Sequence, residues 1–198
     1  MQRRDFMLKT AGALALGSLA VAGCTTSLTP TVTPEAGSAS DKRRREIQEG
    51  IDATLTRLYA AVPDARELAG KASGVLVFPH VIAAGFGIGG QYGEGGLRVQ
   101  NAPDGYYSVA SVSIGLQIGA QSKAIIFLFM AQEALDKFRK SEGWSAGVDA
   151  SVAVLKVGAN GKIDTSSVSG PVLAFVLTNA GLMANLTLEG TKISRLQI

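Results

Sequence analysis

The first apolar pattern after the N-terminal region has a helical period. Five apolar residues recur at intervals of three and four and form one stripe: Ile47, Ile51, Leu55, Leu58 and Val62. This spacing is typical of an amphipathic helix. Ser40 or Asp41 is suited to cap its N-terminus, and Pro63 is expected to end it. We therefore predict a helix from about Asp41 to Val62, followed by a short helix that opens with a capping box at 64–67 and ends before Gly74.

From Gly74 onward the apolar period shortens to that of strands. Glycine-separated apolar or alternating runs predict strands at 75–78, 86–92, 97–100, 106–118, 124–129, 148–157, 171–177, 182–188 and 193–198. A helix at 131–140 interrupts them, with Leu135 and Phe138 expected to face the core. Turns are predicted at 93–96 and 103–105, and Asn160–Gly161 predicts a hairpin.

The order of these elements predicts the fold class. Helices come first and many strands follow, so we expect an α+β fold with a mostly antiparallel, strongly curved or barrel-like sheet and one inserted helix. The 24 glycines can bend such a sheet sharply and leave an apolar groove. Tight packing and turns explain the same glycines equally well.

The N-terminus predicts export and lipidation. Arg3 and Arg4 precede an apolar stretch at 11–23, which is shorter than the roughly 20 residues of a membrane-spanning helix. The sequence Val-Ala-Gly-Cys at 21–24 resembles a lipobox, so residues 1–23 are predicted to be a signal peptide and Cys24 the site of lipid attachment. The motif RRDFMLK at 3–9 resembles a twin-arginine signal, although export by the Sec route stays open.

The residues after Cys24 predict a tether and a location. Residues 24–40 are rich in Thr, Ser and Pro and are expected to be flexible, which leaves 41–198 as the folded domain. Thr25 stands where an Asp would favour retention at the inner membrane. By analogy with Gram-negative lipoproteins, we expect an anchor in the cell envelope, at the outer membrane, facing the periplasm or the cell surface.

Charge and motifs argue against several function classes. The formal charge of +3 falls to +1 once Arg3, Arg4, Lys9 and Asp5 are removed, so nucleic acid is not expected as a partner. The sequence GFGIGG at 85–90 matches a dinucleotide fingerprint, but the glycine-rich continuation cannot form the helix that this site needs.

The catalytic and metal-binding alternatives are equally poor. The sequence GWSAG at 143–147 matches a nucleophile elbow, but the preceding segment is helical and the only histidine, His80, lies upstream. His80 is expected to have a hydrogen-bonded structural role. With one histidine and one acylated cysteine, we expect no metal, no cofactor and no enzymatic activity.

One concentrated basic run is the candidate binding site. It consists of Lys42, Arg43, Arg44 and Arg45. In a helix that begins near Asp41, four positive charges in the first turn oppose the helix macrodipole, which suggests a functional demand. Contact with lipid head groups is one interpretation, and an ordinary solvated helix start is the other.

Four sequence blocks resemble the SYLF-domain family. They are ASGVLVFP at 72–79, AGFGIGGQYGEG at 84–95, SIGLQIGAQ at 113–121 and GLMANLTLEG at 181–190. The segment at 156–172 departs from the family pattern. Eukaryotic members bind phosphoinositide-containing membranes, some also bind actin filaments, and bacterial members include lipidated proteins. The resemblance implies lipid contact through an N-terminal amphipathic helix, whose counterpart here is 41–62.

Two functions therefore compete. The first is a lipoprotein whose SYLF-like domain binds phospholipid or a membrane surface without catalysis. The alternative is a structural or protein-interaction lipoprotein of the envelope, with a protein partner and no lipid ligand. Actin binding is not carried over, because the expected compartment contains no actin. The sequence leaves the oligomeric state and the lipid species open.

Overall fold

Three helices and seven strands make up the described part of the chain in this computed structural model. It describes residues 35–157, 162–163, 169–178, 181–182, 188 and 190–198, all within one compact unit. The elements are α1 (Glu35–Ala61), α2 (Asp64–Lys71), β1 (Gly74–Val99), β2 (Ala102–Phe129), α3 (Gln132–Lys140), β3 (Gly143–Ser145), β4 (Val152–Val154), β5 (Val172–Thr178), β6 (Gly181–Leu182) and β7 (Lys192–Arg195).

Some predictions fall outside these residues. They are the signal peptide, Cys24, the first ten residues of the tether, the Asn160–Gly161 hairpin and most of the strand at 182–188. The predicted domain boundaries stay predictions. None of the described helices is long and apolar enough to cross a bilayer.

Helix α1 confirms the predicted apolar stripe but begins earlier than predicted. Ile47, Ile51, Leu58 and Val62 are buried. The helix begins at Glu35 rather than near Asp41, so the last six residues of the predicted tether are helical. Alanine is the best helix former, and an acidic residue favours a first turn. These preferences of Glu35, Ala36 and Ala39 outweigh the polar composition of the segment.

Helix α2 forms where predicted, but without the predicted capping box. Pro63 is its N-cap, and no side chain caps the helix. Glu67 instead accepts a hydrogen bond from Lys71 at 2.6 Å, one turn further on. The two acidic residues of its first turn still favour this end of the helix through the macrodipole.

The strands predicted between 75 and 129 are two long strands joined by one tight turn. Val99 pairs with Ala102, and Gln100 and Asn101 form the turn with φ of +51° and +65°. The predicted turns at 93–96 and 103–105 are therefore wrong, since both segments lie in strands. Asn tolerates positive φ, and that preference is the only signal for the observed turn.

The β1–β2 hairpin folds back on itself. A Cβ atom at Gly95 would lie 2.0 Å from the Val77 carbonyl oxygen, and one at Gly93 would lie 2.7 Å from the His80 carbonyl oxygen. In a straight strand, residues 77 and 95 would be about 60 Å apart at roughly 3.3 Å per residue. The glycines that suggested a turn at 93–96 therefore permit a close contact between the two halves of β1.

Strand β2 is the centre of the sheet. It pairs with β1 along its length, with β7 at Tyr107–Ala110 and with β5 at Lys123–Phe129. The order of the main path is β3-β7-β2-β5-β4, and β6 adds to β5. All described strand pairs are antiparallel except β4 with β5. The α+β class with a strongly curled, mostly antiparallel sheet is confirmed.

Both faces of the sheet are covered where β2 pairs with β5, which explains why 124–129 of β2 and 172–177 of β5 are continuously apolar. On one face, Ile126, Leu128 and Phe175 pack against α1 and α2. On the other face lies an aromatic cluster made of Phe78, Tyr107, Phe127, Phe129, Phe138 and Trp144. Leu135 and Phe138 of α3 are buried there, as predicted.

The fold-back of β1 yields a stability prediction. Gly95→Ala is expected to lower the free energy of unfolding by about 2 kcal/mol, because the new methyl group overlaps the Val77 carbonyl. Urea unfolding followed by circular dichroism measures the change.

Gly70→Ala is the matched control. Gly70 is helical and a Cβ there meets nothing within 4 Å. Alanine at this position is expected to raise stability by about 0.5–1 kcal/mol. If both changes shifted the unfolding midpoint equally, the close approach of β1 to itself would be contradicted.

Candidate functional site

The basic run lies in the third turn of α1, with all four residues exposed. The macrodipole acts on the first turn only, and α1 begins seven residues before Lys42. The predicted conflict between the run and the helix dipole is therefore wrong, because the helix start was placed too late. Lys42 lies 3.8 Å from Glu46, while Arg45 forms no ion pair with any described carboxylate.

Arg43 connects the helix to strand β1. Its Nε donates to Glu94 Oε2 at 2.9 Å, and its Nη2 donates to Glu94 Oε1. The Tyr92 hydroxyl donates to the same Oε1 at 2.8 Å. The hydrogen bond from Arg43 is the largest influence holding the pKa of Glu94 below its usual value. The same contact raises the pKa of Arg43.

Arg44 connects the helix to the end of the chain. Its Nε donates to the main-chain oxygen of Ile198 at 2.9 Å, and Nη2 donates to the same oxygen. Its Nη1 also lies 3.4 Å from Asp41 Oδ1. Two of the four basic residues therefore hold α1 against the rest of the fold, Arg43 against β1 and Arg44 against the segment after β7. Lys42 and Arg45 are the two whose charges no contact with the sheet explains.

A surface that sequence reasoning missed lies beside this end of α1. We call it the glycine-rich ribbon: residues 82–93 of β1, paired with residues 109–122 of β2. It contains no Asp, Glu, Lys, Arg or His. Among its described side chains, Ile82, Tyr92 and Val112 are 60%, 50% and 78% exposed. The signal that could have found it is the lack of charge in two paired glycine-rich segments.

The ribbon and the basic run are neighbours. Tyr92 belongs to the ribbon and binds Glu94, and Glu94 binds Arg43 of the run. Cations next to exposed apolar residues and a tyrosine are typical of proteins that lie on a membrane surface, where tyrosine favours the head-group region. We call the basic run and the ribbon together the basic–apolar surface.

The discounted motifs have other structures. Residues 85–90 continue as strand to Val99, so no helix N-terminus follows them. At 143–147, strand β3 leads into a turn, where the Ser145 amide donates to Asp149 Oδ2 at 2.5 Å. His80 is exposed on β1, in place of the expected structural role. Among the described residues, no three His, Cys, Asp or Glu side chains cluster to hold a metal ion.

Residues 110–197 match the model of the Ysc84 family, which is described as "Las17-binding protein actin regulator". This part of the chain is therefore similar to the Ysc84/SYLF family. The match runs from the middle of β2 to the end of the sheet and includes the resembling blocks at 113–121 and 181–190. The family prediction is confirmed. No curated protein matches the chain significantly.

The Arg43–Glu94 contact predicts a pH dependence. A pKa that is lower in the folded state stabilises the fold above the unfolded value of about 4.3, and this contribution is lost as the pH falls through the folded value. Glu94→Gln should therefore lower stability at pH 7 by about 0.5–1 kcal/mol, because the pair is partly exposed. The difference from the unaltered protein should shrink progressively as the pH falls below the unfolded value.

Urea unfolding between pH 7 and pH 3 measures this difference. Glu142→Gln, which changes an exposed glutamate outside the α1–β1 contact, is the control and should change stability less at every pH. A Glu94→Gln effect of constant size down to pH 3 would contradict the ion-pair interpretation.

Proposed function

We propose that the protein is a membrane-anchored bacterial lipoprotein whose Ysc84/SYLF domain binds phospholipid or a membrane surface without catalysing a reaction. The observation that carries the proposal is the basic–apolar surface, in which Arg43 of the exposed basic run is linked through Glu94 to Tyr92 of an uncharged ribbon that also exposes Val112. Exposed apolar side chains of this kind mark interaction sites. Cations next to them favour an amphiphile with anionic head groups.

The proposed anchor brings this surface to the bilayer. Cleavage after residue 23 and acylation of Cys24 would hold the chain in the outer membrane, with roughly 0.8 kcal/mol per buried CH₂ group. The ten residues between Cys24 and Glu35 reach at most about 40 Å at roughly 3.6 Å per residue. In the sequence, α1 with its basic run is the first described element after the proposed anchor.

The family description names an actin regulator, and family members bind lipid or protein. For this chain we propose the lipid, because an envelope lipoprotein has no access to actin and because cations adjoin the apolar ribbon. An envelope protein partner would use the same exposed residues. Binding to vesicles therefore separates the two functions, and a domain without affinity for any vesicle would favour the protein partner.

The electrostatic part of the proposal is tested with residues 25–198, which lack the acyl anchor. Co-sedimentation with vesicles that contain anionic phospholipid measures the affinity. Each basic residue near an anionic surface contributes about 1 kcal/mol, so Lys42→Gln with Arg45→Gln should weaken binding roughly fivefold per residue. Higher salt should shrink this difference.

The matched control is Lys137→Gln with Lys140→Gln. This pair removes the same charge from exposed residues of α3. The control should retain most of the affinity. Equal losses in the two double variants would mean that net charge alone, rather than the basic–apolar surface, attracts the vesicles.

The apolar part of the proposal is tested at Val112. Val112→Asp places a charge on the ribbon, and burial of a valine is worth about 1.5 kcal/mol or more. Binding to neutral and anionic vesicles should therefore fall about tenfold or more. The loss should persist at high salt, in contrast to that of the lysine and arginine variants.

Val148→Asp is the matched control for this test. Val148 is 80% exposed, similar to Val112, but lies after β3 and outside the ribbon. It should leave vesicle binding unchanged apart from a small electrostatic effect. If Val148→Asp and Val112→Asp weakened binding equally, the ribbon would not be the part that contacts lipid.

A further inference from the structure

A cleft beside Arg98 is lined by three parts of the fold. Leu55 and Tyr59 of α1, Arg66 and Gly70 of α2, and the β1–β2 turn line it. Its volume is about 510 Å³, which is within the range of small-molecule sites. All of its lining residues belong to the described part of the chain.

The charged residues that line the cleft have one sign. Its lining contains Arg66 and Arg98 and no aspartate or glutamate. The Arg66 guanidinium lies over the ring of Tyr59, 4.6 Å from the centroid, and forms no ion pair with a described carboxylate. Stacking of this kind orients a guanidinium while its N–H groups stay available to an anion.

Arg98 makes more polar contacts than Arg66 does. Its Nη1 lies 2.6 Å from Asp52 Oδ1, and its Nη2 donates to Gln48 Oε1 at 2.7 Å. Asp52 compensates part of this charge, so Arg66 supplies most of the attraction for an anion. Burial raises the pKa of the Tyr59 hydroxyl, whereas both arginines act to lower it.

We propose that this cleft binds a small phosphate ester, with the phosphate on the Arg66 guanidinium and the Tyr59 hydroxyl. Guanidinium groups bind phosphate through paired charge-assisted hydrogen bonds. The cleft is larger than a phosphate group alone, and Leu55 and Val75 supply apolar wall for a short aliphatic part. Glycerol 3-phosphate has this chemistry, whether free or as part of a phospholipid head group. The site does not depend on membrane binding by the basic–apolar surface.

Titration of residues 25–198 with sn-glycerol 3-phosphate, followed by calorimetry or amide NMR shifts, tests the proposal. We expect saturable binding that Arg66→Gln weakens at least about tenfold, because charge-assisted hydrogen bonds are lost. Arg195→Gln removes the same charge from an exposed residue of β7 and should leave the affinity unchanged. Absence of saturable binding, or equal weakening by both variants, would overturn the proposal.

Gly70 offers a second test that does not disturb the fold. A Cβ at Gly70 meets nothing within 4 Å, so Gly70→Glu and Gly70→Gln can both be accommodated. The glutamate should repel the phosphate and weaken binding severalfold relative to the glutamine, which has the same shape. Identical affinities of these two variants would contradict a phosphate in the cleft.

Two further comparisons identify the source of the ligand and separate this site from the proposed function. Tighter binding of short-chain phosphatidic acid than of glycerol 3-phosphate would indicate a lipid head group, and equal binding would indicate a soluble ester. The Lys42→Gln, Arg45→Gln variant should bind glycerol 3-phosphate normally even where it no longer binds vesicles. Joint loss of both activities in that variant would overturn a separate site.

Discussion

Strand β1 passes so close to itself that only glycine fits at the crossing. A Cβ at Gly95 would lie 2.0 Å from the Val77 carbonyl oxygen, much closer than the two atoms can approach without overlap. This contact lets a hairpin of two long strands fold over and bury Phe78, Leu97 and Tyr107 in one core. It also leaves the middle of the same hairpin outside that core, with Ile82 and Val112 exposed. The exposed ribbon is thus a geometric consequence of the fold-back.

The sequence predicted the parts of the fold in which one physical cause dominates. The apolar residues from Ile47 to Val62 fall on one face only if the segment is helical. The prediction of α1 is therefore correct apart from its start. Glycine has two uses, turns and close approaches, and sequence alone does not distinguish them. The segment 93–96 was therefore predicted as a turn, although it lies in β1 against residues that are distant in sequence. The Gln100–Asn101 turn was missed because it contains no glycine, and an asparagine alone is a weak turn signal.

The candidate site was predictable only in part. Charge density singled out Lys42 to Arg45, but not which of them face the sheet. Arg43 binds Glu94 and Arg44 binds the Ile198 oxygen, contacts between segments more than fifty residues apart that no local pattern encodes. The cleft at Arg66 was missed because its walls come from α1, α2 and the β1–β2 turn. Its position depends on where the hairpin ends.

The division of labour within the basic run changes how the run supports a function. Its apparent conflict with the helix dipole disappears because α1 begins at Glu35, and two of its charges are accounted for by contacts that hold α1 against the rest of the fold. The position of the basic run still requires an explanation. Arg43 of the run binds Glu94, and Glu94 is the first charged residue after the ribbon segment 82–93. The contact that fixes α1 therefore also joins the basic run to Tyr92 of the ribbon, so that packing of the helix and assembly of the basic–apolar surface depend on the same ion pair.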